Sequence, residues 1–255
     1  MKRAIAGVAL AATLAVAAAA TRPFWAAPDA AQAQAWLHDA ADRHDVGAEA
    51  ALARWAARGN TGARHAYATL LAHRADAASR QRLEQVLGDA ADSGDAVAAT
   101  QLAALLSDAR ARAGASGRAG ADASRDDARA ARLLAQGSAG HVPAASRLLA
   151  LRALDAGKGT PDLGRAAALL AQASDGGDAP AMFLYANLLR AGQGVARDDA
   201  RALALYERAG DADYAPAIQA LAIAWRYGEL GLQADSSQSR LMDHEAAEAL
   251  AHAAH

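Results

Sequence analysis

Residues 179–217, APAMFLYANLLRAGQGVARDDARALALYERAGDADYAPA, close on the motif with which they open. Pro180 and Ala181 return as Pro216 and Ala217, 36 residues later. Between them lie two alanine-rich apolar runs, separated by the loop Gly192-Gln193-Gly194-Val195 and the pair Asp198-Asp199. Leu203 and Tyr206 share one face at helical spacing, and Leu221 and Trp225 share another in the run that follows.

Working outward, DDARA at Asp126 recurs at Asp198, and DLGRA stands halfway between them at Asp162. Arg129, Arg165 and Arg201 keep the same interval of 36. The segments GHVPAASRLLA, GDAPAMFLYANLL and DYAPAIQALAIAW align Pro143, Pro180 and Pro216 at intervals of 37 and 36. GNTGARHAYATLL and GDAVAATQLAALL are weaker upstream copies, so the opening alanines are Ala63, Ala98, Ala144, Ala181 and Ala217. Their intervals of 35, 46, 37 and 36 contain one long step, where ARAGASGRAGADAS reads as a Gly/Ala/Ser-rich surface loop.

Each unit resolves into two helices. One begins after an aspartate placed to cap it, as Asp198 precedes ARALALYERA. The next carries a proline in its first turn, where the missing N–H costs little. A hairpin this small cannot bury both helix faces alone, so neighbours must stack. The expected fold is all-α, an α-solenoid of stacked antiparallel helical hairpins.

These residues resemble the Sel-one-like (Sel1) repeat family, tetratricopeptide-like helical hairpins. The matching positions are Ala181, Tyr185, Ala186, Gly192, Gly194, Val195, Asp198 and Ala202, with Ala209 and Gly210 standing for the alanine pair and Asp213 replacing the usual glycine. The resemblance is strong over 162–231, fair over 126–161 and weak over 55–107. It implies a module that binds protein or peptide, with Tyr185, Leu189, Leu221 and Trp225 as packing positions.

The stretch DAGKGTPDLGRAAALL, residues 155–170, imitates a phosphate loop ahead of a helix. Gly157 and Gly159, however, precede Gly192 and Gly194 by 35 residues, and the GxxxxGK[ST] pattern is not met. The glycines form the inter-helix turn of one repeat, and no nucleotide cofactor is expected.

Composition sets the class. Lys and Arg number 26 against 28 Asp and Glu, a net charge of −2, which excludes the basic footprint of a nucleic-acid binder. About a third of the residues are alanine, the strongest helix former, and aromatics make up 4%. Lys2 and Arg3 precede an uncharged run from Ala4 to Ala20, the layout of a secretory signal. Cleavage at Ala18-Ala19-Ala20 or Ala31-Gln32-Ala33 would release a periplasmic or secreted protein; retention would leave an inner-membrane anchor. There is no cysteine, hence neither disulfide nor lipidated cysteine.

The expected layout is 1–33 signal peptide and tether, 34–107 weak N-terminal repeats, 108–125 the loop, 126–233 well-defined repeats and 234–255 a capping helix. Arg190 and Arg226 lie 36 apart beside packing positions and, with Tyr227, Met182 and His65, are candidate partner-binding residues. The competing reading is a solvated stripe whose arginine stems cover small alanines. His244, Glu248 and His252 share one face of the last helix at i, i+4, i+8, a weak metal candidate against the plainer reading of a polar solvated face. GASGRAG lacks the strand–turn–helix setting of a nucleophile elbow, and no catalytic constellation is visible. The expected function is an envelope adaptor or scaffold, with an immunity-type inhibitor of a secreted toxin as a special case. The alternative is an envelope enzyme, or a binder of cell-wall glycan or peptide, using the groove.

Overall fold

The computed structural model describes residues 24, 26–74, 76–115, 121–155 and 160–253, without the side chains of 110–124. Among the described residues there are twelve helices and no strand. They divide into two compact units, 1–120 and 121–255. The first contains α1 (Ala30–Asp42), α2 (Val46–Ala57), α3 (Thr61–His73), α4 (Ala77–Asp92) and α5 (Ala96–Ala115). The second contains α6 (Ala121–Ala139), α7 (Pro143–Leu154), α8 (Leu163–Asp175), α9 (Ala179–Ala191), α10 (Asp199–Gly210), α11 (Ala215–Tyr227) and α12 (Ser236–Ala253). Within each unit consecutive helices pack on one another, as an α-solenoid requires.

The helix boundaries follow from local chemistry. Asp162, Asp178 and Asp198 cap α8, α9 and α10: their carboxylates accept the N–H of Arg165, Ala181 and Arg201 at 3.0, 2.8 and 2.9 Å. Gly192 and Gly228 end α9 and α11 in the left-handed conformation, at φ of 65° and 68°. At Gly194 a methyl group would fall on the carbonyl of Leu163, so only glycine lets this loop lie against the start of α8. Gly157 and Gly159, its expected counterparts, lie outside the described residues.

The cores are built from small residues. Ala166, Ala173, Ala181, Ala186, Ala202, Ala209 and Ala217 are all fully buried, and Leu170, Tyr185, Leu189 and Tyr206 fill the space between them. The helix α12 adds a separate cluster in which Ala246 and Ala249 meet Ala215 and Ile218 on another face of α11.

Polar side chains tie one hairpin to the next at matching positions. The fifth residue after each helix cap reaches the cap of the following unit: His65 Nε2 lies 3.1 Å from Asp95 Oδ2, and Arg147 Nε lies 2.9 Å from Asp178 Oδ1. Phe183 meets Tyr214 in the same way, ring centroids 5.7 Å apart. On the other helices, Gln172 Nε2 donates to the Ser138 carbonyl at 3.1 Å and Arg208 Nη2 to the Ser174 carbonyl at 3.4 Å. Both acceptors sit at helix ends, where carbonyls lack intrahelical donors.

Four expectations are corrected. The loop expected over 108–125 is helical through Ala115 and again from Ala121, because alanine outweighs the scattered glycine and serine in helix propensity. Consequently Asp126 lies inside α6 and caps nothing. The repeat alanine of α7 is Ala145, fully buried, and not Ala144; Pro143 is the first residue of its helix, which puts α7 and α9 in a 36-residue phase. The tether is shorter than 1–33, since α1 begins at Ala30 with the Asp29 carboxylate accepting the Gln32 N–H at 2.8 Å. Phe24 packs edge-on against Trp36 at 5.3 Å, and its carbonyl accepts from the Trp55 indole at 3.2 Å and from Arg54.

Candidate functional site

The last turns of α9 and α11 carry Arg190 and Arg226, where a cation complements the negative end of the helix dipole. Each reaches the next element of the stack. Arg190 Nη1 stands 3.2 Å from Glu229 Oε2 in the turn after α11. Arg226 Nη2 stands 2.6 Å from Asp243 Oδ2, and its Nε donates to Ser239 Oγ at 3.2 Å, both on α12. All four charged side chains are close to half exposed. Ion pairs in such surroundings are worth about 0–1 kcal/mol, so a partner's charges can displace them.

Tyr227, 67% exposed, follows Arg226 and lies two residues before Glu229. One turn earlier on the same face Ile223 is 43% exposed. An aromatic and an aliphatic side chain thus project next to two exposed ion pairs, a combination suited to covering by another protein surface. Beneath them Tyr206 is buried and donates to Asn187 Oδ1 at 2.6 Å. Burial pushes the Tyr206 phenol up from its ordinary range, Arg190 opposes that shift and Glu229 reinforces it, so the ion pair and the phenol feel one another.

Of the five expected contact residues, three gather here: Arg190, Arg226 and Tyr227. Met182 does not, because it is 5% exposed and belongs to the core; its helical register turns it inward with Tyr185 and Leu189. His65 lies in the first unit and is held on the cap of α5 by Asp95. Ile223, Glu229 and Asn187 went unrecognised in the sequence. Ile223 carried the one available signal, a large apolar residue off the helix face that Leu221 and Trp225 share.

On α12, His244 Nδ1 lies 3.7 Å from Glu248 Oε1, both strongly exposed, and His252 is exposed two turns beyond His244. Among the described residues no group of three His, Cys, Asp or Glu side chains has a geometry that holds a metal ion. Nor is any helix among them long and apolar enough to cross a membrane.

Two solved structures share this architecture. The crystal structure of a Sel1 repeat protein from Oxalobacter formigenes is similar over 87% of this chain and 88% of its own, with a TM-score of 0.69 at 18% identity. A protective antigen present in uropathogenic Escherichia coli strains, displaying an SLR fold, is similar over 86% of this chain and 46% of its own, with a TM-score of 0.66 at 18% identity. No protein-family model matches the sequence, and no curated protein matches it.

Proposed function

We propose, with the Sel1-repeat fold as premise, that this chain is an exported binding module of the cell envelope that engages a protein or peptide partner through the ends of α9 and α11. The observation that carries the reading is the grouping of Tyr227 and Ile223 with the Arg190–Glu229 and Arg226–Asp243 pairs. Stacked hairpins present extended surfaces, and arginine and tyrosine, with tryptophan, are enriched among the residues that dominate binding energy at protein interfaces. The role is that of an adaptor or scaffold without chemistry of its own; neutralising a toxin in the periplasm is a special case of it. Export is supported by the basic residues Lys2 and Arg3 ahead of the apolar run Ala4–Ala20. Cleavage at Ala18-Ala19-Ala20 fits better than cleavage after Ala33, because Gln32 and Ala33 are buried in α1.

Capture from envelope extract tests this. The double variant Arg190→Ala, Arg226→Ala should keep its helical content and melting midpoint nearly unchanged, since the lost pairs are exposed. Its affinity for the captured partner should fall on the order of thirtyfold, the effect of losing an interface hot spot. Equal recovery by the variant and the native chain removes this face from the binding surface.

A further inference from the structure

We propose that a second surface, where α10, α11 and α12 meet, takes a basic peptide by receiving one of its Lys or Arg side chains. It adds a surface and a partner chemistry to the reading above, and it uses none of the residues of the Arg190–Tyr227 face. The helices enclose a groove of about 240 Å³. Leu221, Trp225 and Met242 form its floor, and Glu207, Asp211 and Glu245 stand around it. The groove follows the seam between the main core, to which Leu221 belongs, and the small cluster under α12, with Met242 packed against both. Leu221 is buried, but Trp225, expected as a core residue, is only half-buried because this seam is left open.

Electrostatics select the occupant. Glu207 and Asp211 stand one turn apart at the C-terminal end of α10, where like charges repel and the helix dipole disfavours anions. Among the described residues, neither they nor Glu245 form an ion pair or a side-chain hydrogen bond. Arg226 is paired with Asp243 and Ser239, and Arg208 reaches the Ser174 carbonyl without forming an ion pair with either acid. Three carboxylates without an ion-pair partner, lining one groove with an indole, suit a cation carried on an apolar stem, which gains both from the charges and from the aromatic ring.

The fold does not require these acids. The first unit has the same groove, of about 210 Å³, where α2, α3 and α4 meet. Counted back from the following helix caps, Asn60 and Tyr214, Ala53 and Ala57 occupy the places of Glu207 and Asp211. Arg64 and Arg82 line that groove with a single acid, Asp89, so the sign of its net charge is reversed.

Fluorescence anisotropy of labelled hexa-arginine with the full chain tests the proposal. The native chain should bind the peptide, and the triple variant Glu207→Gln, Asp211→Asn, Glu245→Gln should lose about tenfold or more in affinity. The triple variant Glu84→Gln, Asp92→Asn, Glu248→Gln, with the same change in net charge, should bind within about twofold of native, as a non-local charge effect is screened by salt. Trp225→Leu, which keeps the floor apolar, should weaken binding severalfold by removing the aromatic ring. No binding by the native chain, equal binding by the groove triple, or equal loss in both triples would overturn the proposal. A native chain that captures envelope protein yet ignores hexa-arginine overturns the groove alone and leaves the first reading standing.

Discussion

Ala186 and Ala222 are 0% and 1% exposed and occupy equivalent places on α9 and α11, eight residues after each helix cap. Leucine at 222 would force neighbouring side chains off their rotamers, so Ala222→Leu should lower stability by about 1–3 kcal/mol, read from the midpoint of urea unfolding. A shift of only a few tenths would mean that the position has room to spare. Ala186 was legible as a small repeat position, and so was Asp213 as a substitute for glycine: its φ is 56°, in the left-handed region. His44, Gly59, Gly94, His141 and Gly177 have positive φ just before their own helix caps, so the position demands this conformation and tolerates Asp or His at some cost. Met182 was misread. Met182, Tyr185 and Leu189 stand at i, i+3 and i+7, the spacing of one helix face, so the register already placed it with the packing residues.

The helix caps separate what repeat phasing can and cannot establish. Asp162 and Asp126 are 36 residues apart and look alike in sequence, yet Asp162 caps α8 while Asp126 lies in the first third of α6. Asp162→Ala should therefore cost about 1 kcal/mol, the usual loss of a capping side chain. Asp126→Ala should be neutral or slightly stabilising, because alanine is the better interior helix residue. Thermal melts of the two single variants decide the matter, and equal losses would mean that α6 starts at Asp126 after all. The helices over 162–227 were legible because caps, first-turn prolines and apolar spacing agreed. Over 108–125 they conflicted, and alanine prevailed over the loop-like glycines.

For the whole molecule, the N-terminal pattern sets a test of place. Most of the protein should fractionate outside the cytoplasm in a form that lacks about its first 20 residues, as expected of a cleaved signal. Mass spectrometry of the envelope fraction checks this, and intact Met1 in the cytosol would contradict it. The stacking of hairpins was legible from the 36-residue phase, but the joints between them were not. His65–Asp95, Arg147–Asp178 and Phe183–Tyr214 lie 30 or 31 residues apart and use three different chemistries, so no repeated letter advertises them. Their diversity bears on how such a gene can change. A clean loss of 36 residues spanning α8 and α9 would bring Arg147 opposite Tyr214, a tyrosine in place of a carboxylate. The shortened chain would keep every helix signal and still mismatch at its new joint, so the number of hairpins here is guarded by the fit between particular neighbours.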